Sequence, residues 1–387
     1  MRIAFVCDWL TGMRGGERCL EALCELYPKA DIFTLLHIPH SVSQTIESHE
    51  IRTSYIQRLP GGRKNFRRYL PLFPHAIRRF DLSGYDCVLS LSHCVAKGVR
   101  VPADIPHICY CHTPMRYAWY MRSEYLRRLG CVRRKTAGFL LDRIRNWDRR
   151  TASGVTRFVA VSRNVQNRIK EAYNRDSVII HPPVDCDRFG DFSDNDRYYL
   201  IVSALAPYKR VDLAIEAFNG LDRRLIVVGN GPELPFLKHS ASPNVDFVEA
   251  ADDRQVAGYM QKCRALIFPG EEDFGIVPLE AQACGKAVIA YGKGGALETV
   301  IAFDEASGGN ADATGLFFHE QSPKALREAI LRFEKIEHRF DSRKCRSNAL
   351  RFDRSVYKRS MQQYIQSVID GASAPASQTE SNPPACI

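Results

Sequence analysis

A chain of 387 residues with 45% hydrophobic and 25% charged content is long enough for two globular domains and too balanced for a fibrous or disordered protein. Its formal net charge of +10 points to an anionic partner: nucleic acid, an anionic membrane surface or a phosphorylated substrate. The 13 cysteines form no CxxC pair, which argues against zinc or a disulfide framework and for reduced, mostly buried thiols in a cytosolic protein.

Residues 1–10 are too short and too strand-like for a signal peptide, and no run has the length of a membrane-crossing helix, so any membrane contact is expected to be peripheral. Residues 2–7 are a continuous apolar run, the pattern of a parallel strand buried on both faces. A loop with Gly15, Gly16 and Glu17 follows, then a helix with Cys19, Leu20, Leu23 and Leu26 at helical spacing. Strand, glycine-bearing loop and helix make a phosphate-facing first turn. The GxGxxG of a dinucleotide fold is absent, which disfavours a dehydrogenase, and a helix entry can need glycine for packing alone. Further strand-like runs at 31–36, 87–90, 107–111 and 157–161, separated by helical patterns, predict a doubly wound parallel sheet.

Between the runs at 31–36 and 87–90, Arg58, Arg63, Lys64, Arg67 and Arg68 interleave with Phe66, Tyr69 and Phe73. A second basic segment, 122–150, sets Arg133, Arg134 and Lys135 beside Phe139, Leu140 and Leu141. Two such segments in one half suit a surface lying on anionic lipid; a solvated basic face whose aromatics pack inward is the alternative. His112 stands just after the run at 107–111, where an imidazole can orient or polarise a substrate hydroxyl. A structural histidine is the alternative there, and His93 is a weaker candidate of the same kind.

Residues 184–196, rich in acids and without apolar period, are expected to link a first domain, 1–183, to a second, 197–350. Asp185 and Asp187 are read as linker acids rather than a metal site. The second α/β series runs through 198–203, 224–228, 245–248, 264–268 and 287–290, with Gly229-Asn230-Gly231-Pro232 as a nucleotide-facing turn candidate. Lys209 and Arg210 follow its first strand, placed to clamp a diphosphate, the Lys as a point charge and the Arg as a fork. A helix over 351–370 precedes a Ser/Pro/Ala-rich tail, 371–387, expected to be disordered and without a prenylation signal at Cys386.

The centre of the second half is the stretch from Phe268 to Glu280. An apolar run leads into a loop carrying Glu272, and a helix over 279–284 begins near Glu280, with seven residues between the two acids. Phe274, Gly275, Ile276 and Val277 should offer backbone N–H groups at a helix start, where unpaired donors and the positive dipole end suit a phosphate. An ordinary strand–loop–helix turn with solvent-facing acids is the alternative.

Together, Glu272 and Glu280 at this spacing, the Gly15-Gly16-Glu17 loop, Lys209 and Gly294-Gly295-Ala296-Leu297-Glu298 resemble the family 4 retaining glycosyltransferases, over about residues 1–365. The segments 110–119 and 204–212 are similar to a bacterial branch with mannosyltransferases of O-antigen and exopolysaccharide assembly. The resemblance implies a GT-B fold of two Rossmann-like doubly wound domains facing across a cleft, the last helix crossing back to the first domain. It implies GDP-mannose as donor and a polyprenyl-diphosphate-linked oligosaccharide as acceptor. The protein would work peripherally on the inner face of a bacterial inner membrane. By position, Glu280 would bind the ribose hydroxyls and Glu272 the transferred sugar. The N–H groups of Phe274, Gly275, Ile276 and Val277 would meet sugar and phosphates, Lys209 the diphosphate, and His112 the reacting sugar. Gly15 and Gly16 would pass close to the phosphates or the acceptor. The family's Arg five residues before the Lys is here Ala204, and Arg210 is expected to supply that charge. Neither a metal nor a cofactor is expected, because these groups already carry the positive charge a diphosphate leaving group needs, and nucleic acid is not an expected partner. Other readings are a UDP-sugar donor, a sugar-nucleotide epimerase or hydrolase, and a basic polyanion-binding protein.

Overall fold

Apolar strands alternate with amphipathic helices along the chain, and the computed structural model, which describes residues 1–127, 130–189, 196–304 and 309–373, sorts them into two units. The first unit takes residues 1–161, 165–180 and those from Tyr357 on; the second takes 162–164 and 181–356.

In the first unit seven strands, β1 (Ile3–Cys7), β2 (Asp31–Thr34), β3 (Ile51–Thr53), β4 (Cys87–Ser92), β5 (His107–Cys111), β6 (Arg157–Ala160) and β7 (Ser177–Ile179), form one parallel sheet in the order 3-2-1-4-5-6-7. β1, β4 and β5 are buried along their whole length, as suits predominantly apolar strands covered on both faces. Helix Gly15–Leu26 buries Cys19, Leu20 and Leu23 on one side, and its first turn is closed by Glu17, whose carboxylate accepts from the Arg14 N–H at 3.1 Å. The C-terminal helix, Arg354–Ser373, joins this unit from Tyr357, whose ring meets Tyr110 edge-on at 5.7 Å.

The second unit repeats the plan. β8 (Tyr199–Val202), β9 (Leu225–Val228), β10 (Val245–Val248), β11 (Ala265–Phe268), β12 (Val288–Tyr291) and β13 (Gly315–Phe318) lie parallel in the order 10-9-8-11-12-13. Helix Pro323–Ile336 seats Leu326, Ile330 and Phe333 in the core formed with helix Val211–Asn219. Both sheets are the doubly wound α/β class that the alternation predicts.

Three strands are not legible in the pattern. β3 and β7 are short edge strands with half-buried or exposed residues. β13 opens on Gly315, which reads as a turn residue; here a side chain would meet the β12 carbonyl of Val288 at 2.1 Å, so only glycine lets the strands pair. The helix expected over 279–284 starts three residues earlier, as Ile276–Ala283, because Pro278 is tolerated in a first turn. Of the stretch expected as linker, residues 190–195 lie outside the described residues; its start is tied into the second unit, Val184 bridging Asp353 and Cys186 and Phe189 being buried. The expected disordered tail lies outside the described residues from 374 on, and its first residues continue the helix to Ser373. Eleven of the cysteines, from Cys7 to Cys345, are buried and stand outside any disulfide.

Candidate active site

In the second unit the strand order reverses between β8 and β11, and ligands of open α/β sheets bind beyond the carboxyl ends of strands at such a reversal. The β8 loop passes through a tight turn, Pro207–Lys209, into helix Val211–Asn219. The β11 loop lies against it: a Cβ on Gly270 would meet the Lys209 carbonyl at 3.0 Å. The two loops are joined by an ion pair between Lys209 Nζ and the Glu272 carboxylate, whose side chains are 20% and 11% exposed. Arg210 holds left-handed backbone, φ 54°, and its guanidinium bonds Asp212 at 3.2 Å and Gln321 Oε1 at 3.1 Å.

Glu272 is fixed from the far side by the two glycines of the 294–298 motif. Glu272 and Gly294 form a parallel bridge, and the Gly295 N–H donates to the Glu272 carbonyl at 2.8 Å. A Cβ on Gly295 would lie 2.2 Å from Phe274 Cα, so this contact is backbone against backbone. Gly275, at φ 100°, turns the chain into helix Ile276–Ala283. The N–H groups of Gly275, Ile276 and Val277 precede any intrahelical acceptor, and Pro278 has none to offer. Phe274 is buried and stacked on His181 at 5.1 Å, and Glu280 is half-buried in the second helical turn. Behind the helix, Gln282 donates to Pro278 O at 3.1 Å and Thr299 O at 2.8 Å, and Asn348 donates to Gln282 Oε1 at 2.6 Å. This buried, satisfied network holds the helix start rigid.

The first unit has its own reversal, between β1 and β4. Gly16 lies in contact with His112: a Cβ there would meet His112 Nε2 at 3.3 Å. The sequence candidates Gly15, Gly16 and His112 therefore share one place. Burial pulls the His112 imidazole down to about 3, with His93 and Arg116 adding repulsion, so the ring is neutral at physiological pH. Burial pushes the Glu17 carboxyl up to about 7, against Arg14 and the first backbone N–H groups of its helix.

Asp8, at the end of β1, is a residue that the sequence patterns do not mark. It is fully buried and accepts four backbone N–H bonds from the β4 loop, from His93 and Cys94 at 2.8 Å, Val95 at 2.6 Å and Ala96 at 2.8 Å. The same loop is held from behind by Lys97, whose ammonium is buried against Asp148 Oδ1 at 2.8 Å. An acid closing an apolar strand is the available signal: a charge at that depth needs donors.

Residues 13–188 match the family described as Glycosyltransferase Family 4, and residues 186–351 match Glycosyl transferases group 1. The GDP-mannose-dependent alpha-(1-6)-phosphatidylinositol monomannoside mannosyltransferase of Mycolicibacterium smegmatis is 32% identical over 36% of this chain and 45% of its own. The alpha-1,3/1,6-mannosyltransferase ALG2 of Kluyveromyces lactis is 24% identical over 71% of this chain and 64% of its own. The chain thus spans less than two thirds of the length of either relative. The solved sucrose-phosphate synthase of Thermosynechococcus elongatus superposes with a TM-score of 0.73 over 96% of this chain and 100% of that one, at 16% identity, a likeness of fold of the GT-B type.

Proposed function

We propose, from the premise that this chain belongs to the family 4 glycosyltransferases, that it moves mannose from GDP-mannose to a polyprenyl-diphosphate-linked oligosaccharide with retained configuration. The observation that carries the reading is the Lys209–Glu272 ion pair beside the start of helix Ile276–Ala283. A diphosphate leaving group needs fixed positive charge where its own charge develops, and a preorganised ammonium and helix N-terminus supply it without reorganisation. With no donor bound, Glu272 neutralises Lys209. Donor binding exchanges one anion for another: the diphosphate takes the ammonium, and the released carboxylate accepts from hydroxyls of the transferred sugar. Glu280 binds the ribose hydroxyls, Arg210 adds positive field, and the N–H groups of Phe274 to Val277 meet sugar and phosphate. His112, neutral, hydrogen-bonds the reacting sugar; Gly16, packed on that ring, and Gly15 leave room beside it. The acceptor hydroxyl attacks the anomeric carbon from the face the nucleotide leaves. Its proton passes to the departing phosphate oxygen as the sugar–phosphate bond breaks.

The mannosyltransferase relatives support mannose and, in one case, GDP-mannose. The exposed basic helix of the first unit supports work on the anionic inner face of a bacterial membrane during O-antigen or exopolysaccharide assembly. Among the described residues, no helix is long and apolar enough to cross a membrane. The test is a panel of nucleotide sugars, with and without octyl glycosides as acceptors, read by the nucleoside diphosphate released. GDP release from GDP-mannose that depends on acceptor is expected. UDP release in its place overturns the donor, and full turnover without acceptor returns the chain to the hydrolase reading.

A further inference from the structure

The structure assigns to His93, oriented by Asp8, a role in holding the sugar hydroxyl that attacks the donor, an inference that rests on the proposed transferase reading. Both residues stand at the carboxyl ends of neighbouring strands where the first sheet reverses, β1 and β4. Asp8 Oδ2 lies 3.1 Å from His93 Nδ1, and the carboxylate is already anchored by the N–H groups of His93, Cys94, Val95 and Ala96. A carboxylate with four such donors only accepts, so its oxygen 3.1 Å from the ring favours the tautomer with hydrogen on Nδ1. Nε2 is then left with its lone pair. The ring is not interior filling: its side chain is 40% exposed, while that of Asp8 is 0% exposed. One edge is fixed by the Trp9 indole, perpendicular at 4.6 Å, and His112 lies 6.4 Å away.

Desolvation, helped by the surrounding guanidinium groups, favours the neutral ring. Asp8 favours the imidazolium, but burial and the guanidinium groups of Arg116, Arg14 and Arg67 outweigh it and hold the group below its ordinary value. A buried carboxylate that favours one tautomer and a partly exposed imidazole beside it make an acceptor for one hydroxyl proton. No proton need leave the substrate at His93. Its hydrogen bond aims the hydroxyl oxygen, and the leaving phosphate takes the proton when the new bond forms. Asp8 acts through His93 and is a positioning residue.

Two measurements test this. The first is nitrogen-15 NMR of histidine-labelled protein at neutral pH, with the His93 resonance identified by its loss in His93→Gln. A neutral ring with hydrogen on Nδ1 is expected; an imidazolium, or hydrogen on Nε2, overturns the assignment. The second compares His93→Ala and His93→Gln with wild type, using GDP-mannose and the octyl glycosides. His93→Ala should lower kcat/KM for the acceptor about a hundredfold, with the Kd of GDP-mannose within threefold of wild type. His93→Gln, whose amide oxygen can accept, should recover part of the loss. Wild-type turnover with His93→Ala within threefold of it overturns this inference alone, whereas release of no nucleotide by the wild type overturns the transferase reading beneath it. Because Asp8→Asn removes the anchor of a whole loop, it is scored only by thermal melting and by its His93 resonance, expected to lose the fixed Nδ1–H tautomer.

Discussion

The proposed exchange of anions at Lys209 would make Glu272 more than a sugar ligand: in the unliganded protein it would compete with the diphosphate. The two single variants should therefore separate. Lys209→Ala should lower kcat by about 10² to 10³ through loss of charge stabilisation and weaken GDP binding. Glu272→Ala should lower turnover comparably and yet tighten GDP binding, because the ammonium is no longer neutralised. Calorimetric titration with GDP beside steady-state rates tests both; near-normal turnover by either variant would sink the site. Glu17 gives a second test at this scale. Its folded value of about 7 lies above its ordinary 4.5, so the folded state binds more protons between those two values. Stability must then fall as pH rises through that window. Glu17→Gln keeps an acceptor for the Arg14 N–H and buries no charge. It should match wild type in acid and melt higher near about pH 8. The gain should be roughly 2 kcal/mol, since each tenfold change in proton affinity is worth about 1.4 kcal/mol and water reaching the half-buried carboxyl screens part of it. Lower stability than wild type at the alkaline end contradicts the burial of an ionised Glu17.

What holds the site at the level of elements is close backbone approach, and this decides how much of it a sequence can show. The strand runs at 107–111 and 245–248 coincide with β5 and β10, although Asp246 interrupts the second, because short, mostly apolar runs between helical patterns admit few other uses in an α/β chain. Lys209, Glu272 and Glu280 are visible through their place after such runs. The ion pair between the first two is not, since it depends on how two loops from strands far apart in sequence meet. Gly294 and Gly295 can be matched to a motif, but their reason lies in three dimensions: Gly295 has Phe274 Cα where its own Cβ would stand, at 2.2 Å. Asp8 escapes notice because its four partners are backbone groups, which no residue type announces. Gly295→Ala must push the Glu272 loop aside. It should destabilise the second unit by about 1–3 kcal/mol, as overpacking does, and weaken GDP-mannose binding in parallel. Gly371→Ala, with nothing within 4 Å in helix Arg354–Ser373, is the control and should be neutral or slightly stabilising. Equal effects of the two, read by thermal melting, would show that the close approach does not constrain the loop.

For the molecule as a whole, the net charge of +10 has a structural address. Helix Cys131–Thr151 buries Leu141, Ile144 and Asp148 on one face, and Asp148 is neutralised by Lys97. On the other face Arg133, Arg134, Lys135, Arg143, Arg149 and Arg150 are exposed, and the exposed Asp142 is paired with Arg122. Phe139 stands among them, 64% exposed, with the Arg143 guanidinium 4.9 Å from its ring. An exposed phenylalanine within a cationic face suits a lipid interface, where the ring enters the acyl boundary and the guanidinium groups meet phosphates. It suits nucleic acid less well, since a phosphate groove needs the cations and not a bare apolar ring. Each basic residue near an anionic surface contributes about 1 kcal/mol, so the triple change Arg133→Glu, Arg134→Glu and Lys135→Glu should lower partitioning onto phosphatidylglycerol-containing vesicles by about a hundredfold or more. Phe139→Ala should lower it less and without changing its salt dependence, because the lost contribution is apolar. High salt should release the wild type, as screening shortens the reach of the exposed charges. Sedimentation with vesicles measures all of these. Undiminished binding by the triple variant, or equal binding to phosphatidylcholine alone, refutes a basic docking face, and tight, salt-steep binding to duplex DNA would favour the polyanion-binding reading instead.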